Sequence, residues 1–316
     1  MNDIFNKKDL IYTVYEERSF SRAAQRLFIS QPSLSSMIRR IEEEIGTPLF
    51  DRSCKPIRMT EAGMEYIRAT ETIRHAEQAF ANYVDAENEL LTGSLSLGSS
   101  QLMSTLVLPK YLSAFMARYP QIQLDFVDDN STALKNLISS GRLDLIVDNQ
   151  QLEPELFEQR LLWTETLLLA VPVSFLRGDE GLALREEDIA ANVHLAAETP
   201  AAALSSFSEL PFILMTRDNE TRQRSDAIFR QSGFHPRTIL EVDRLETLYT
   251  FVELGSAASL VSDTLVKHLR HHSGSVRFFR LQSPHTQRDI YISYKRNRYY
   301  SRAMETMIDL LTSHEL

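Results

Sequence analysis

The sequence predicts a chain of two unlike parts: a small all-α head of the winged helix-turn-helix kind, joined by one long helix to a two-lobed α/β body. Three observations carry this. The chain has 316 residues, more than one ordinary domain of about 100–200. Its first sixty residues hold three short helical patterns and a hairpin, and a stretch free of proline and glycine follows from residue 65 to 91. Beyond Thr92-Gly93-Ser94, apolar runs of strand length alternate with amphipathic helices, the pattern of α/β layers with largely parallel sheets.

Residues 1–60 make the head. Leu10, Ile11, Val14 and Tyr15 recur at helical spacing. Ser19-Phe20-Ser21 ends that helix and caps the next, whose inner face is Ala23, Ala24 and Leu27. Phe28-Ile29-Ser30 is a tight turn. A third helix runs from Gln31 or Pro32 to about Glu44, with Leu34, Ile38, Ile41 and Ile45 facing inward. Ser30 suits its N-cap, and Pro32 suits a first turn whose N–H groups lack intrahelical partners. Gly46-Thr47-Pro48 stops it, and residues 49–52 and 56–60 read as the two strands of a wing.

Residues 61–91 form the linker helix, with Thr60 as N-cap. Tyr66, Ile73 and Phe80 are seven apart, as are Ala69, Ala76, Tyr83 and Leu90. The two rows are offset by three, an a/d seam that buries itself against a second copy of the chain. The body, 92–316, offers strands near 95–98, 122–127, 143–147, 166–171, 212–215, 238–242, 258–261, 276–281 and 290–294. Helices are expected near 110–119, 133–140, 222–232, 245–254 and 301–312.

Hydrophobic residues at 43% and charged residues at 24% suit a soluble protein with a sizeable core. No run approaches the roughly 18 apolar residues of a membrane span. The opening residues lack a signal peptide's apolar stretch. A lone cysteine, Cys54, leaves no internal disulfide scaffold, so a cytoplasmic setting is expected. The net charge is −9, yet residues 18–58 hold eight basic residues against four acidic, a net +4, which leaves −13 for the rest. A basic head on an acidic body confines phosphate contact to the head.

The third helix presents Gln31, Pro32, Ser33, Ser35, Ser36 and Arg39 outward. Glutamine can pair bidentately with adenine and arginine with guanine, and a proline edge can meet a thymine methyl. Residues at the start of a recognition helix lie deepest in the major groove. Arg52, Lys55 and Arg58 on the wing suit phosphates or a narrow minor groove. Paired alanines at 23 and 24 let two helices cross closely, as a helix-turn-helix requires.

These stretches resemble the N-terminal domain of LysR-type transcriptional regulators. The resemblance is dense over residues 10–70: Ser19-Phe20-Ser21-Arg22-Ala23-Ala24, Ile29-Ser30-Gln31-Pro32-Ser33-Leu34-Ser35, Gly46-Thr47-Pro48-Leu49-Phe50-Asp51-Arg52 and Thr60-Glu61-Ala62-Gly63. It continues more weakly through Thr92-Gly93-Ser94-Leu95, Gly141-Arg142-Leu143-Asp144-Leu145-Ile146 and Glu241-Val242-Asp243-Arg244-Leu245-Glu246. It implies a regulator of double-stranded promoter DNA whose body has two lobes like those of periplasmic binding proteins. It also implies two crossover strands, a small-molecule effector in the cleft and a homotetramer built as a dimer of dimers. The first lobe is expected at about 92–162 plus 268–316 and the second at 163–267. Arg244 stands where the family commonly has serine, and Ala257 where it commonly has glycine.

In such a body a ligand sits beyond the strand C-termini, where helix N-termini offer free N–H groups. That nominates Ser99, Ser100 and Gln101; Asn130, Ser131 and Thr132; Asp148 and Asn149; and Thr216 with Arg217. Hydroxyls, amides and an arginine suit a small carboxylate or amino-acid-like metabolite. Ordinary helix capping explains many of the same residues. No Gly-rich phosphate loop or nucleophile elbow occurs, so neither enzyme activity nor a cofactor is expected. His268, His271 and His272 read as solvated rather than metal-binding, Cys54 as an inert thiol and Trp163 as packing near the lobe crossover. The competing expectation is an effector-independent repressor or nucleoid-type DNA-binding protein whose body serves only oligomerisation.

Overall fold

The computed structural model describes residues 4–54, 56–87, 93–176, 181–217, 219–269, 274–296 and 299–313; within 61–87 it leaves out the side chains of 75, 78, 79 and 81–87. The head holds α1 (Lys8–Glu17), α2 (Phe20–Arg26), α3 (Gln31–Ile45) and a wing of β1 (Phe50–Asp51) paired antiparallel with β2 (Arg58–Met59). Ser19 caps α2 by accepting from the Arg22 backbone N–H at 3.4 Å, and Ser30 caps α3 by accepting from Ser33 at 3.3 Å. Caps of this kind contribute about 1 kcal/mol each. Phe28, at φ 55°, makes the turn between the helices, and Gly46, at φ 84°, ends α3. Ile11, Val14, Ala23, Ala24, Leu34, Ile38 and Ile41 close the core with Leu49, Phe50 and two residues of the next helix, Tyr66 and Ile67.

That helix, α4 (Glu61–Glu87), has 27 residues and is about 40 Å long at 1.5 Å per residue. Thr60 fixes its start: its Oγ1 accepts from Gly63 N at 3.0 Å and donates to the Pro48 carbonyl at 2.7 Å. Gly63 is required by close approach, since a Cβ there would lie 2.1 Å from the Leu49 carbonyl oxygen. The start of the linker helix is therefore packed directly against the segment that enters the wing.

The first lobe contains β3 (Gly93–Ser99), a π-helical turn at Met103–Val107, α5 (Leu108–Arg118), β4 (Ile122–Asp128), α6 (Ser131–Ser139) and β5 (Leu145–Asp148). The chain then crosses on β6 (Phe157–Pro172) into the second lobe. There follow α7 (Glu186–Ala190), β7 (Pro211–Met215), α8 (Glu220–Gln231), β8 (Arg237–Val242), α9 (Leu245–Glu253), β9 (Ser259–Ser262), α10 (Asp263–Leu269) and β10 (Val276–Phe279). It returns on β11 (Gln287–Lys295) and ends in α11 (Arg302–Thr312).

β3 pairs parallel with β4 and β5, and β7 pairs parallel with β8. The crossover strands are antiparallel: β11 runs along residues 157–166 of β6 and along β5. Further on, β6 pairs antiparallel with β9 and β10. The body is thus more mixed than the expected largely parallel sheets, because each crossover strand enters against the run of its neighbours.

Two expectations differ from the structure. The strand foreseen at 166–171 is one 16-residue strand. Its first part mixes buried, half-buried and exposed positions without a regular alternation, while its last eight residues are all buried, so only the apolar end showed as a strand. The first lobe was expected to resume at residue 268, yet β10 pairs with Leu169, Ala170, Val171 and Pro172 in the second lobe's sheet.

Candidate DNA-reading face and effector cleft

Helical periodicity divides α3 cleanly. Leu34, Ile38 and Ile41 are buried in the head, while Gln31, Pro32, Ser33, Ser36, Arg39 and Arg40 are exposed and Ser35 is half-buried. The side chains of Gln31 and Arg39 make no hydrogen bond or ion pair among the described residues. Arg58 on β2 is exposed as well; Lys55 lies outside the described residues.

The basic surface is narrower than the sequence suggests. Arg26 pairs with Glu16 at 2.8 Å and Glu17 at 3.2 Å, and Arg22 approaches Glu17 at 3.6 Å. Arg52 is bound to Glu42 at 2.8 Å and lies over the Phe20 ring, 5.3 Å from its centroid. The other Glu42 oxygen accepts from Leu49 N at 2.8 Å and Phe50 N at 3.2 Å, tying α3 to the wing. Asp51 accepts from the Ser53 hydroxyl and N–H and from the Cys54 thiol, and these bonds hold its carboxyl below the usual range.

Along the expected seam, Tyr66 is only 5% exposed. It stacks on Phe5 at 4.9 Å and donates its hydroxyl to the Ile4 carbonyl at 2.8 Å, so it serves the head's own core. Ala69 and Ile73 are half-buried, Ala76 is exposed and Phe80 is 68% exposed. The Tyr83 side chain and Leu90 lie outside the described residues. α4 also touches the first lobe: Glu71 pairs with Arg142 at 3.5 Å and the Thr72 hydroxyl donates to the Ser140 carbonyl at 3.3 Å. A cavity of about 650 Å³ opens at that junction, bordered by Tyr12, Arg74, Asp125 and Arg142.

In the body, parallel pairing aligns the nominated positions at one end of each sheet. Ser99 is level with Asp128 of β4 and Val147 of β5, so Ser100, Asn130 and Asn149 leave their strands together. Met215 is level with Val242, which puts Thr216 and Arg217 beside the start of α9 at Arg244. The two ends meet. The Gln101 amide, oriented with its oxygen toward the guanidinium, accepts from Arg244 Nη1 at 3.1 Å and Nε at 3.2 Å. An amide's orientation is assigned by such partners. This inter-lobe bond joins residues far apart in sequence, and no spacing rule could have found it; only the family comparison marked Arg244 as unusual.

The remaining nominees divide. Ser99 is fully buried, with its hydroxyl donating to the Ser100 carbonyl at 3.2 Å. Asn130 caps α6 by accepting from Ala133 N at 3.0 Å. Ser100, Asn149 and Thr216 are half-exposed, and Thr132 and Arg217 are exposed. Asp148 is 2% exposed, and neither carboxylate oxygen has a hydrogen-bond partner among the described residues. Arg222 anchors the end of β7 by donating to the Met215 carbonyl and to Glu241, both at 2.8 Å. Among the described residues no group of three or more His, Cys, Asp or Glu side chains could hold a metal ion, and no helix is long and apolar enough to cross a membrane.

The comparisons with known proteins agree on one family. Residues 6–64 match the family model described as bacterial regulatory helix-turn-helix protein, lysR family, and residues 88–315 match the LysR substrate binding domain. An uncharacterized HTH-type transcriptional regulator of Bacillus subtilis (strain 168), YcgK, is 26% identical over 299 residues, covering 94% of this chain and 90% of its own. The hydrogen peroxide-inducible genes activator of Dickeya chrysanthemi is 24% identical over 311 residues, covering 98% and 95%. Among solved structures, a full-length OxyR variant from Pseudomonas aeruginosa superposes with a TM-score of 0.69 at 19% identity, covering 96% and 92%. Full-length CbnR complexed with its target DNA superposes at 0.65 with 16% identity, covering 96% of each chain. At such identities the two structures speak for the fold alone.

Proposed function

This chain belongs to the LysR family of bacterial transcriptional regulators, with a helix-turn-helix DNA-binding domain and an effector-binding domain, and from that premise we propose how it works. It is a cytoplasmic homo-oligomer, not an enzyme, that reads double-stranded promoter DNA with α3 and the wing. It answers to a small molecule held between its lobes. The observation that carries this is the uncommitted outer face of α3, where Gln31, Pro32, Ser36 and Arg39 stand exposed on a helix whose inner face is locked in the core. Gln31 and Arg39 read base edges; Arg58 and the part of Arg52 not held by Glu42 contact phosphates.

The effector's anionic end binds Arg244, displacing the Gln101 amide, while Ser100 and Thr216 hold its polar body. Because the Arg244–Gln101 bond spans the lobes, a ligand that takes over the guanidinium shifts the balance between lobe arrangements. The contact of Glu71 with Arg142 passes that shift to the linker helix. Such couplings amount to about 1–3 kcal/mol.

The test is thermal unfolding of the full-length protein against a panel of small carboxylates and amino acids. A true effector at about 100 times its dissociation constant adds about 2.7 kcal/mol, and Arg244→Ser removes the shift. Solution scattering then compares head spacing with and without that compound. Unchanged spacing contradicts the switch, and a panel without a single hit favours a body that serves only oligomerisation.

A further inference from the structure

We propose that Arg18, at the turn between α1 and α2, is a further DNA contact of the head and holds a backbone phosphate while α3 lies in the groove. The proposal rests on α3 being the reading helix. Arg18 has φ 49° and ψ 27°, the left-handed conformation. The turn needs such a residue, because α1 ends at Glu17 and α2 begins at Phe20. Glycine takes this conformation without steric cost, whereas a Cβ crowds the following carbonyl oxygen. An arginine here is held against its backbone preference, and residues held in that way gather where a protein clamps a ligand.

The fold makes no use of the side chain. Arg18 is exposed and has no hydrogen bond, ion pair or ring contact among the described residues. Acidic residues stand close by, but both are already engaged. Arg26 Nη1 donates to Glu16 at 2.8 Å and to Glu17 at 3.2 Å. Arg22 approaches the Glu17 carboxylate at 3.6 Å and donates to the Glu17 carbonyl. Two arginines of α2 thus compensate the acidic end of α1, and the charge of Arg18 is left over.

An anion is expected at this corner. The helix that precedes a reading helix crosses the sugar–phosphate backbone. In this head that helix is α2, and Arg18 directly precedes its N-cap, Ser19. A guanidinium offers two parallel N–H donors to phosphate oxygens, and its charge releases a counterion from the duplex. Both gains exist only in the complex, whereas the backbone cost is present with and without DNA. Stability and binding are therefore expected to respond to substitution with opposite signs.

The experiment is fluorescence anisotropy of the full-length protein with a labelled random-sequence duplex over about 50–200 mM KCl, since phosphate contacts carry no sequence information. Thermal unfolding of the same proteins accompanies it. Arg18→Gly removes the charge and suits the turn, so its melting temperature is expected to equal or exceed that of wild type. Its affinity falls about tenfold at about 50 mM KCl, and the slope of log affinity against log salt becomes shallower by about 0.9 for each head that engages. Arg18→Asn, which also tolerates the left-handed conformation, behaves likewise and covers the case in which a new glycine loosens the turn. Arg18→Lys keeps the charge and therefore the slope. Wild-type affinity and slope in both Arg18→Gly and Arg18→Asn would leave a solvated arginine and overturn the proposal. Weaker binding together with a lower melting temperature in both would make Arg18 a support of the fold, and Arg18→Lys losing the slope would show that charge is not the contact; either result overturns it as well. Arg39→Ala separates the two levels of the account. A loss in Arg39→Ala alone overturns the contact at Arg18 and leaves α3 as the reading helix. A loss in Arg18→Gly alone puts the duplex on another face of the head and overturns both.

Discussion

Arg52 and Arg39 are both basic residues of the head, yet the structure gives them different work. Arg39 is exposed on α3, whereas Arg52 is bound to Glu42, whose second oxygen holds the Leu49 and Phe50 N–H groups. Removing one base-reading side chain costs about 1–3 kcal/mol and relaxes specificity at its position. Arg39→Ala is therefore expected to flatten preference among operator variants in gel-shift competition. Arg58→Ala weakens all sequences alike and lowers the salt slope of binding by about one. Glu42→Ala leaves two backbone donors unmet and should lower stability by about 1–3 kcal/mol, read by thermal unfolding. The outward row of α3 was legible because a helical period assigns each residue a face. The pairings of Arg22, Arg26 and Arg52 were not, because they depend on how α1, α2 and the wing fold back on one another. Asp263 adds a pH dependence. Burial pushes its folded-state carboxyl up, but the bonds from His194, Lys267 and Thr166 outweigh it and the net direction is down, so its stabilisation is complete above the unfolded value near 3.9 and is lost as pH falls toward the folded value. Acid titration of Asp263→Asn should lack that component of the wild-type loss.

At the scale of elements, the linker helix and β6 show where pattern succeeds and where it misleads. The N-cap of α4 at Thr60 was written in the sequence, and Gly63 shows why the helix starts where it does; its expected end near residue 91 lies outside the described residues. Gly63→Ala forces a Cβ against the Leu49 carbonyl; a cost of about 1–3 kcal/mol is expected, with the melting temperature falling accordingly. The heptad row could not tell partner from self: Tyr66 is enclosed by the head, while Phe80 stands in the open. If α4 pairs two chains, Phe80→Glu shifts sedimentation velocity toward the monomer and Tyr66→Phe does not. β6 was half-seen because a strand that is solvated in one lobe and buried in the next keeps no single alternation.

At the scale of the whole molecule, two lobes share two crossover strands, and an arginine from one lobe reaches an amide in the other. Parallel strand ends were expected to gather Ser100, Asn149 and Thr216; register brings Ser100 level with Asn149 in the first lobe and, separately, Thr216 beside the start of α9 in the second. The bond that spans the gap depended on packing between lobes, which no local pattern records. The head is coupled to this body through α4, whose Glu71 meets Arg142.

The most direct measurement is capture of genomic DNA by the purified full-length protein at about physiological salt, sequenced beside the double variant Gln31→Ala/Arg39→Ala. The account predicts that wild type enriches a few intergenic fragments sharing an interrupted inverted repeat and that the variant enriches none of them. Equal enrichment by both proteins, or enrichment without sequence preference, would contradict the assignment of α3 as the reading helix and remove the basis for an effector-controlled regulator.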